Sequence, residues 1–585
     1  MTLHKLKPLH RNFILRMKNI LYCICFFLPF QFLNAQSTLF ETSEGLKSAS
    51  YTEGIDWWQK LSKANEVVQM HEYGQTDAGY PLHLIWIGNE NLDQIRSSSK
   101  SILLINNAIH PGEPDGVDAS MMLFRDLLKK TVLLENVIPV CIPYYNIGGA
   151  LNRGRESRAN QKGPLDYGFR GNAQLLDLNR DFIKCDSKNA LSFAALLQKI
   201  DPDVYIETHV SNGADYQYDI TYLASQPDKL GHGMGAYLRE EMVPSLNQSM
   251  NKLNEPVVPY VNHHGGPLLN EYTAFYDSPR YSTGLTSLHQ IFGFITETHM
   301  LKDYQSRVDA TYKFLASMLK FCNENSSEIQ RKRLEAKRSV SAAKTLALSW
   351  KLDSSKYVEF PFYGYQHAYK KSQLTGGERL YYNTDSPLLK QMKFYAYYQE
   401  EGKVTKPKQY ILQRGFHKVA QRLRANGVQL TELQKDTVLA VISYKIEDFK
   451  TVAKAYESHY LHSNTQASKE SIVWAFKKGD WLIEMGTDKD RFVMETLEPF
   501  GPDSYFNWNF FDAILQQKEW YSPYVFEEKA EKFLQKYPKV KLEFLNLKKE
   551  DKSFREDARA QLYWIYQKSP YYEPSHMRLP VFRID

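Results

Sequence analysis

An α/β layer fold is predicted for the first half of this chain. Between about Trp57 and Leu319, short β-like runs alternate with helical ones, and the polar, chemistry-bearing motifs follow the ends of strand-like runs. Composition agrees: 43% hydrophobic and 24% charged residues over 585 positions supply a core, and no glycine or proline bias marks a disordered or collagen-like chain. The strand runs are residues 82–87, 102–107, 137–143, 204–209 and 292–298, each rich in Val, Ile, Leu, Tyr or Phe. Helical runs follow at 116–130, where Met121, Met122, Phe124, Leu127 and Leu128 share a face, and at 304–323, where Val308, Tyr312, Leu315, Met318 and Leu319 do so.

Residues 1–35 carry Lys5, Lys7, Arg11, Arg16 and Lys18 without an acid, then an apolar run from Ile20 to Leu33 and a small-residue exit, the layout of a signal peptide. The run is too short for a spanning helix, which needs about 20 apolar residues. Its five basic residues account for most of the net charge of +6; without them 68 basic residues face 67 acidic ones, a balance that gives no reason to expect nucleic acid. Cys23 and Cys25 leave with the segment, so Cys141, Cys185 and Cys322 allow at most one internal disulfide. A charged, core-poor stretch at 326–344 reads as a solvated helix or linker and divides a domain at 45–325 from a C-terminal part at 345–585. There, strand-like runs (409–412, 438–444, 474–476) give way after about Asp503 to helical runs and an aromatic-dense end, a mixed α+β pattern.

Four motifs before the linker carry chemistry. His110-Pro111-Gly112-Glu113, between a strand and a helix, is the only His-x-x-Glu among 16 histidines. His209 ends the apolar strand 204–209, and the carboxyl ends of strands in open α/β sheets are where ligands and catalytic groups collect. Two histidines and one glutamate from two such ends make a three-ligand zinc site with a position left for water. Asp177-Leu178-Asn179-Arg180, preceded by Asn152-Arg153 and Arg158-Ala159-Asn160, offers guanidinium forks suited to carboxylates. Glu297 stands near the end of a buried-looking strand, where a carboxylate is costly unless paired, protonated or near a metal, which makes it a candidate general base. Each has a structural explanation when taken singly: a polar turn, a satisfied histidine, a solvated salt-bridge loop, a strand end turning to solvent.

Taken in order, over roughly residues 50–325, the motifs resemble the zinc carboxypeptidases of the carboxypeptidase A type. The resemblance implies a mixed twisted sheet flanked by helices. It implies that His110, Glu113 and His209 bind one Zn2+ per chain, and that Asp177 backs a zinc-binding histidine. Arg158 would polarise the scissile carbonyl, with Arg153 and Arg155 as neighbouring candidates. Asn179 and Arg180 would grip the terminal carboxylate, and Glu297 would activate water. The family's substrate-contacting tyrosine is Tyr281 or Tyr276, with Tyr281 preferred here. Leu497-Glu498-Pro499, Pro502-Asp503-Ser504 and the run from Trp508 are similar to tails of large bacterial members, and aromatic residues so placed are more often core than a ligand surface.

The expected function is therefore an exported zinc metallocarboxypeptidase, periplasmic or released, that hydrolyses C-terminal peptide bonds, with cell-wall peptides among its candidate substrates. It is expected to bind no nucleic acid and to lack a stable membrane span once the signal is removed. Two alternatives use the same residues: a zinc amidohydrolase of the aspartoacylase or desuccinylase type, and an inactive protein that holds peptide termini. Export and the long second half count against the first; a general base at Glu297 counts against the second.

Overall fold

The computed structural model of the chain describes residues 37–129, 134–231, 233–263 and 265–585; the expected export signal at 1–35 lies outside them. Among the described residues, no helix is long and apolar enough to cross a membrane. The chain forms two compact units, the first made of residues up to 340 with 350–401 and 425–427, the second of 341–349, 402–424 and 428–585. The expected division at 326–344 thus meets a chain that passes from one unit to the other more than once.

In the first unit, helix α1 (Tyr51–Ala64) begins with a Ser50–Glu53 capping box, and its buried face carries Ile55, Trp57, Trp58 and Leu61. The strands are β1 (Val68–Tyr73), β2 (Leu82–Ile87), β3 (Ser101–Asn106), β4 (Val137–Ile142), β5 (Val204–Ser211), β6 (Ile220–Ala224), β7 (Val258–Pro259), β8 (Glu271–Thr273) and β9 (Phe292–His299). All but β8 join one sheet in the order β1-β2-β4-β3-β5-β9-β6-β7. β4, β3, β5 and β9 run parallel, while β1, β2 and β6 each run antiparallel to a neighbour. This is the mixed sheet expected from the sequence. β3, β4 and β5 are buried along their whole length, which is why they read as continuous apolar runs rather than alternating ones.

Helices α2 (Asp115–Lys129), α3 (Lys188–Ile200), α4 (Val243–Lys252), α5 (Ser282–Leu288) and α6 (Tyr304–Glu324) complete the frame. The largest core cluster joins α1, α2 and α6 to the sheet through Trp58, Phe124, Ile105, Ile206, Phe294 and Phe314. Helix α7 (Ser326–Ala342) occupies the stretch expected to be a solvated helix or linker. It buries Ile329, Ala336 and Val340, and Arg333 is clamped between Asp201 and Asp203 at 2.7 and 2.6 Å. A long antiparallel hairpin, Val358–Lys371 with Glu378–Tyr395, pairs with β8 and packs Phe362 and Met392 against Tyr216, Tyr218 and Tyr272.

The second unit is built on a six-stranded antiparallel sheet whose core holds Ile411, Val441, Phe476 and Phe582. A separate helical cluster packs Phe526, Leu562, Ile565 and Tyr566. Its conspicuous tail residues are interior: Trp508 is fully buried and donates to Asp503, and Glu498 accepts from Arg583 at 2.8 Å with Tyr410 bonded to the same oxygen. Cys141, Cys185 and Cys322 are buried and form no disulfide among the described residues.

Candidate metal centre

Because β3, β5 and β9 are parallel neighbours, their carboxyl ends share one edge of the sheet, and the candidate residues gather there. Beyond β3 the chain turns through Ala108, whose φ of 54° lies in the left-handed region. Asn146 pins that turn by donating to the Ile109 carbonyl at 3.2 Å. His110 and Glu113 follow, and α2 starts at Asp115. Asp115 is held by Arg307 of α6 at 3.1 Å, and Arg307 is itself fully buried. Gly112 is required by close approach: a Cβ there would stand 2.6 Å from Arg158 Cδ.

His110, Glu113 and His209 form a buried group whose ligand atoms lie within 4.8 Å of one another, as a metal site demands. His209 Nδ1 is 3.0 Å from Glu113 Oε2 and 3.2 Å from His110 Nδ1; His110 Nδ1 is 3.3 Å from Glu113 Oε1. On the far side of each ring is a carboxylate. Asp177 Oδ1 is 2.9 Å from His110 Nε2, and Glu207 Oε2 is 3.3 Å from His209 Nε2. These carboxylates favour the proton on Nε2, so both Nδ1 lone pairs and the Glu113 carboxylate face a common point. Three acceptors converging in a buried site need a cation between them. Two imidazole nitrogens and one carboxylate are the donor set of an open zinc site, so the residues fit the expected metal.

The electrostatics say the same. Burial alone would push His209 down, but Glu113 and Glu207 more than offset it and raise its pKa to about 10. Burial likewise opposes ionisation of Glu113, yet Arg158 and His110 hold it well below the usual carboxylate range. Asp177 is lowered despite its burial by His110, Arg170 and Arg180. Glu297 is the register partner of His209 on the adjacent parallel strand, so both side chains leave the same face of the sheet. Burial, only partly offset by His209, lifts Glu297 to about 8. A carboxyl so poised exchanges its proton near neutral pH.

Arg158 donates to Glu113 Oε1 at 2.7 Å and to Gln161 at 2.6 Å. Of its competitors, Arg153 is committed to Asp166 and to the carbonyls of Ser48 and Ala49, and Arg155 offers its carbonyl to Tyr167. Asn179 donates its backbone N–H to Asp177, and Arg180, 3.8 Å from Asp177, lies over the ring of Tyr281 at 4.7 Å. Tyr276 instead packs against Tyr398 and Lys229. Of the two tyrosines, Tyr281 is therefore the one beside the Arg180 guanidinium.

Two site residues escaped the sequence reading. Arg170 makes a double contact with Asp177 Oδ2 at 2.8 and 3.0 Å and reaches within 3.4 Å of His110 Nδ1. Its local sequence carried a signal, since Arg170-Gly171-Asn172 has the same Arg-x-Asn spacing as Arg158-Ala159-Asn160 and stands closer to the Asp177 motif. Glu207 was legible: it precedes His209 by two on a strand, and period-two alternation puts both on one face.

No family model matches the chain, and neither does any curated protein. Solved structures do. A metallo-carboxypeptidase from Burkholderia cenocepacia is 14% identical with a TM-score of 0.36, over 48% of this chain and 70% of that one. One from Pseudomonas aeruginosa, in complex with (2-guanidinoethylmercapto)succinic acid, is 12% identical with a TM-score of 0.36 over the same shares. The carboxypeptidase A from Helicoverpa armigera is 14% identical with a TM-score of 0.34, over 48% of this chain and 75% of that one. Over just under half its length, this chain is thus similar to solved metallocarboxypeptidases.

Proposed function

We propose that the chain is an exported zinc metallocarboxypeptidase that removes the C-terminal residue of peptides. The observation that carries this reading is the convergence of His110 Nδ1, His209 Nδ1 and Glu113, each imidazole backed by a carboxylate, beside Glu297 on the same face of the sheet. Zinc held by the three side chains supplies a Lewis acid that acidifies water and polarises a carbonyl. Glu297 takes the proton of the attacking water and returns it to the leaving amine, a role that needs its pKa near the working pH. Arg158 places positive charge where the oxyanion develops, a contribution of about 2–4 kcal/mol for one such donor. Asn179 and Arg180 bind the terminal carboxylate, with Tyr281 closing over the same guanidinium. Asp177 orients His110 and, through Arg170 and Arg180, ties the ligand to the carboxylate-binding residues.

The test is a peptide mixture incubated with zinc-loaded protein and read by mass spectrometry. Stepwise loss of C-terminal residues is expected, and Glu297→Gln should keep one zinc per chain while losing about 10²–10⁴-fold in rate. Equal cleavage by wild type and Glu297→Gln would remove Glu297 as the base. Zinc binding without cleavage of any peptide would favour a binding protein instead.

A further inference from the structure

Beside the metal group lies a cavity of about 220 Å³ whose lining includes Arg158, Asn160, Gln161, Arg170, Ser211 and Asn212 and contains no acidic side chain. Neither Asn179 nor Arg180 lines it, so it is separate from the residues assigned to the terminal carboxylate. We propose that this cavity is a subsite for a second anionic group of the substrate, so that the preferred peptides carry an acidic residue immediately before the one released. The proposal rests on the carboxypeptidase reading for its orientation, and it adds the substrate class.

The cavity is rich in donors. Arg158 commits Nε to Gln161 and one terminal nitrogen to Glu113; its other terminal nitrogen makes no hydrogen bond among the described residues. Arg170 turns Nε and one terminal nitrogen to Asp177, and the remaining nitrogen lies 3.4 Å from His110 and 3.8 Å from Glu113. Asn160 donates to the Asn212 oxygen at 3.3 Å, and that oxygen also accepts from Gly213 N–H, which leaves the Asn212 amide NH2 as a donor. Glu113 and Asp177, the two acids that balance these arginines, lie outside the lining. A carboxylate entering the cavity therefore meets two guanidinium groups and amide donors, with no acidic side chain in the lining itself. Hydrogen bonds to charged groups are the strong ones, and a planar guanidinium fork suits a carboxylate.

The experiment uses the full chain carrying Glu297→Gln, loaded with zinc, so that ligands survive while binding is measured by calorimetry. Three N-acetyl dipeptides with the same terminal alanine differ only in the preceding residue: Glu, Gln or Lys. Affinity at least tenfold higher for the Glu peptide than for the Gln peptide, with Lys weakest, is expected, and the gap should shrink between 0.05 and 0.5 M NaCl. Asn212→Asp, an exposed loop change, should cut the Glu advantage about tenfold or reverse the order. Glu and Gln peptides binding within twofold of each other, no binding by any of the three, or an unchanged preference in Asn212→Asp would overturn the proposal. Hydrolysis of the same peptides by wild type is scored separately. An acid preference without cleavage sinks the carboxypeptidase reading and leaves the subsite; cleavage without preference does the reverse.

Discussion

Replacing Glu207 by glutamine tests whether the metal group depends on a buried carboxylate that touches no substrate. Glu207 is fully buried, 3.3 Å from His209 Nε2, and accepts a hydrogen bond from Ser282 Oγ at 2.5 Å and a longer one from Tyr205. Glutamine keeps the shape and removes the charge. His209 then loses one of the two carboxylates that hold its pKa near 10, and its Nδ1 becomes a poorer donor to a cation. Carboxylates in this position are worth about 10–100-fold in metal affinity, or roughly 1.4–2.7 kcal/mol at 1.36 kcal/mol per decade. The assay is zinc competition against a chromogenic chelator at fixed pH, with the denaturant midpoint of the chelated protein as a check on folding. Glu207→Gln should lose affinity by 10–100-fold; Ser282→Ala, which keeps the carboxylate and removes one donor to it, should lose less. Zinc affinity within twofold of wild type in a folded Glu207→Gln protein would refute the reasoning, because the charge behind His209 would then have no part in ligation.

Two further outcomes follow from the same electrostatics. His209 and Glu297 both have folded pKa values above their unfolded ones, at about 10 and about 8. The stabilising proton on His209 is fully held below about 6.5 and lost toward 10, and buried Glu297 disfavours ionisation from about 4.5 upward, so the chelated protein should lose stability as pH rises from 6 to 9. Because the cation displaces the His209 proton, zinc affinity should climb about tenfold per pH unit across that window; pH-independent affinity would contradict the assignment. Arg307→Ala should destabilise the first unit by about 3–5 kcal/mol, since it strands the buried Asp115 carboxylate two residues beyond Glu113. A denaturant midpoint unchanged from wild type would show that the pair does not hold the start of α2.

What could be read from the sequence depended on whether one residue's surroundings were set locally. β2 was read to its exact limits, and β3, β4, β5 and β9 to within two residues, because strands buried on both faces must be apolar throughout. The hairpin 358–395 was not anticipated. Its residues alternate irregularly between exposed and half-buried, so no apolar period marks it, and its register is shifted between Tyr365 and Gln366. Helix α7 shows the opposite case: its charges signalled solvent, but Arg333 finds Asp201 and Asp203 only in the folded chain, and that pairing buries one face.

The candidate site divides along the same line. His110, Glu113 and His209 could be proposed together because strand ends of a parallel sheet must share an edge, and Asp177 because its motif carried a resemblance. Arg170 was half legible: Arg170-Gly171-Asn172 repeats the spacing of Arg158-Ala159-Asn160, but only the fold brings it to Asp177 and His110, across 7 and 60 residues. Arg158, Arg170 and Arg180 thus touch one connected group of acids, Glu113 and Asp177, from different directions. Three arginines are therefore gathered around the buried Glu113 carboxylate and the half-buried Asp177 carboxylate. That is why a net charge of +6, most of it carried by residues 1–35, says nothing about the partner, while the local arrangement is what the proposal of a carboxylate-bearing substrate rests on.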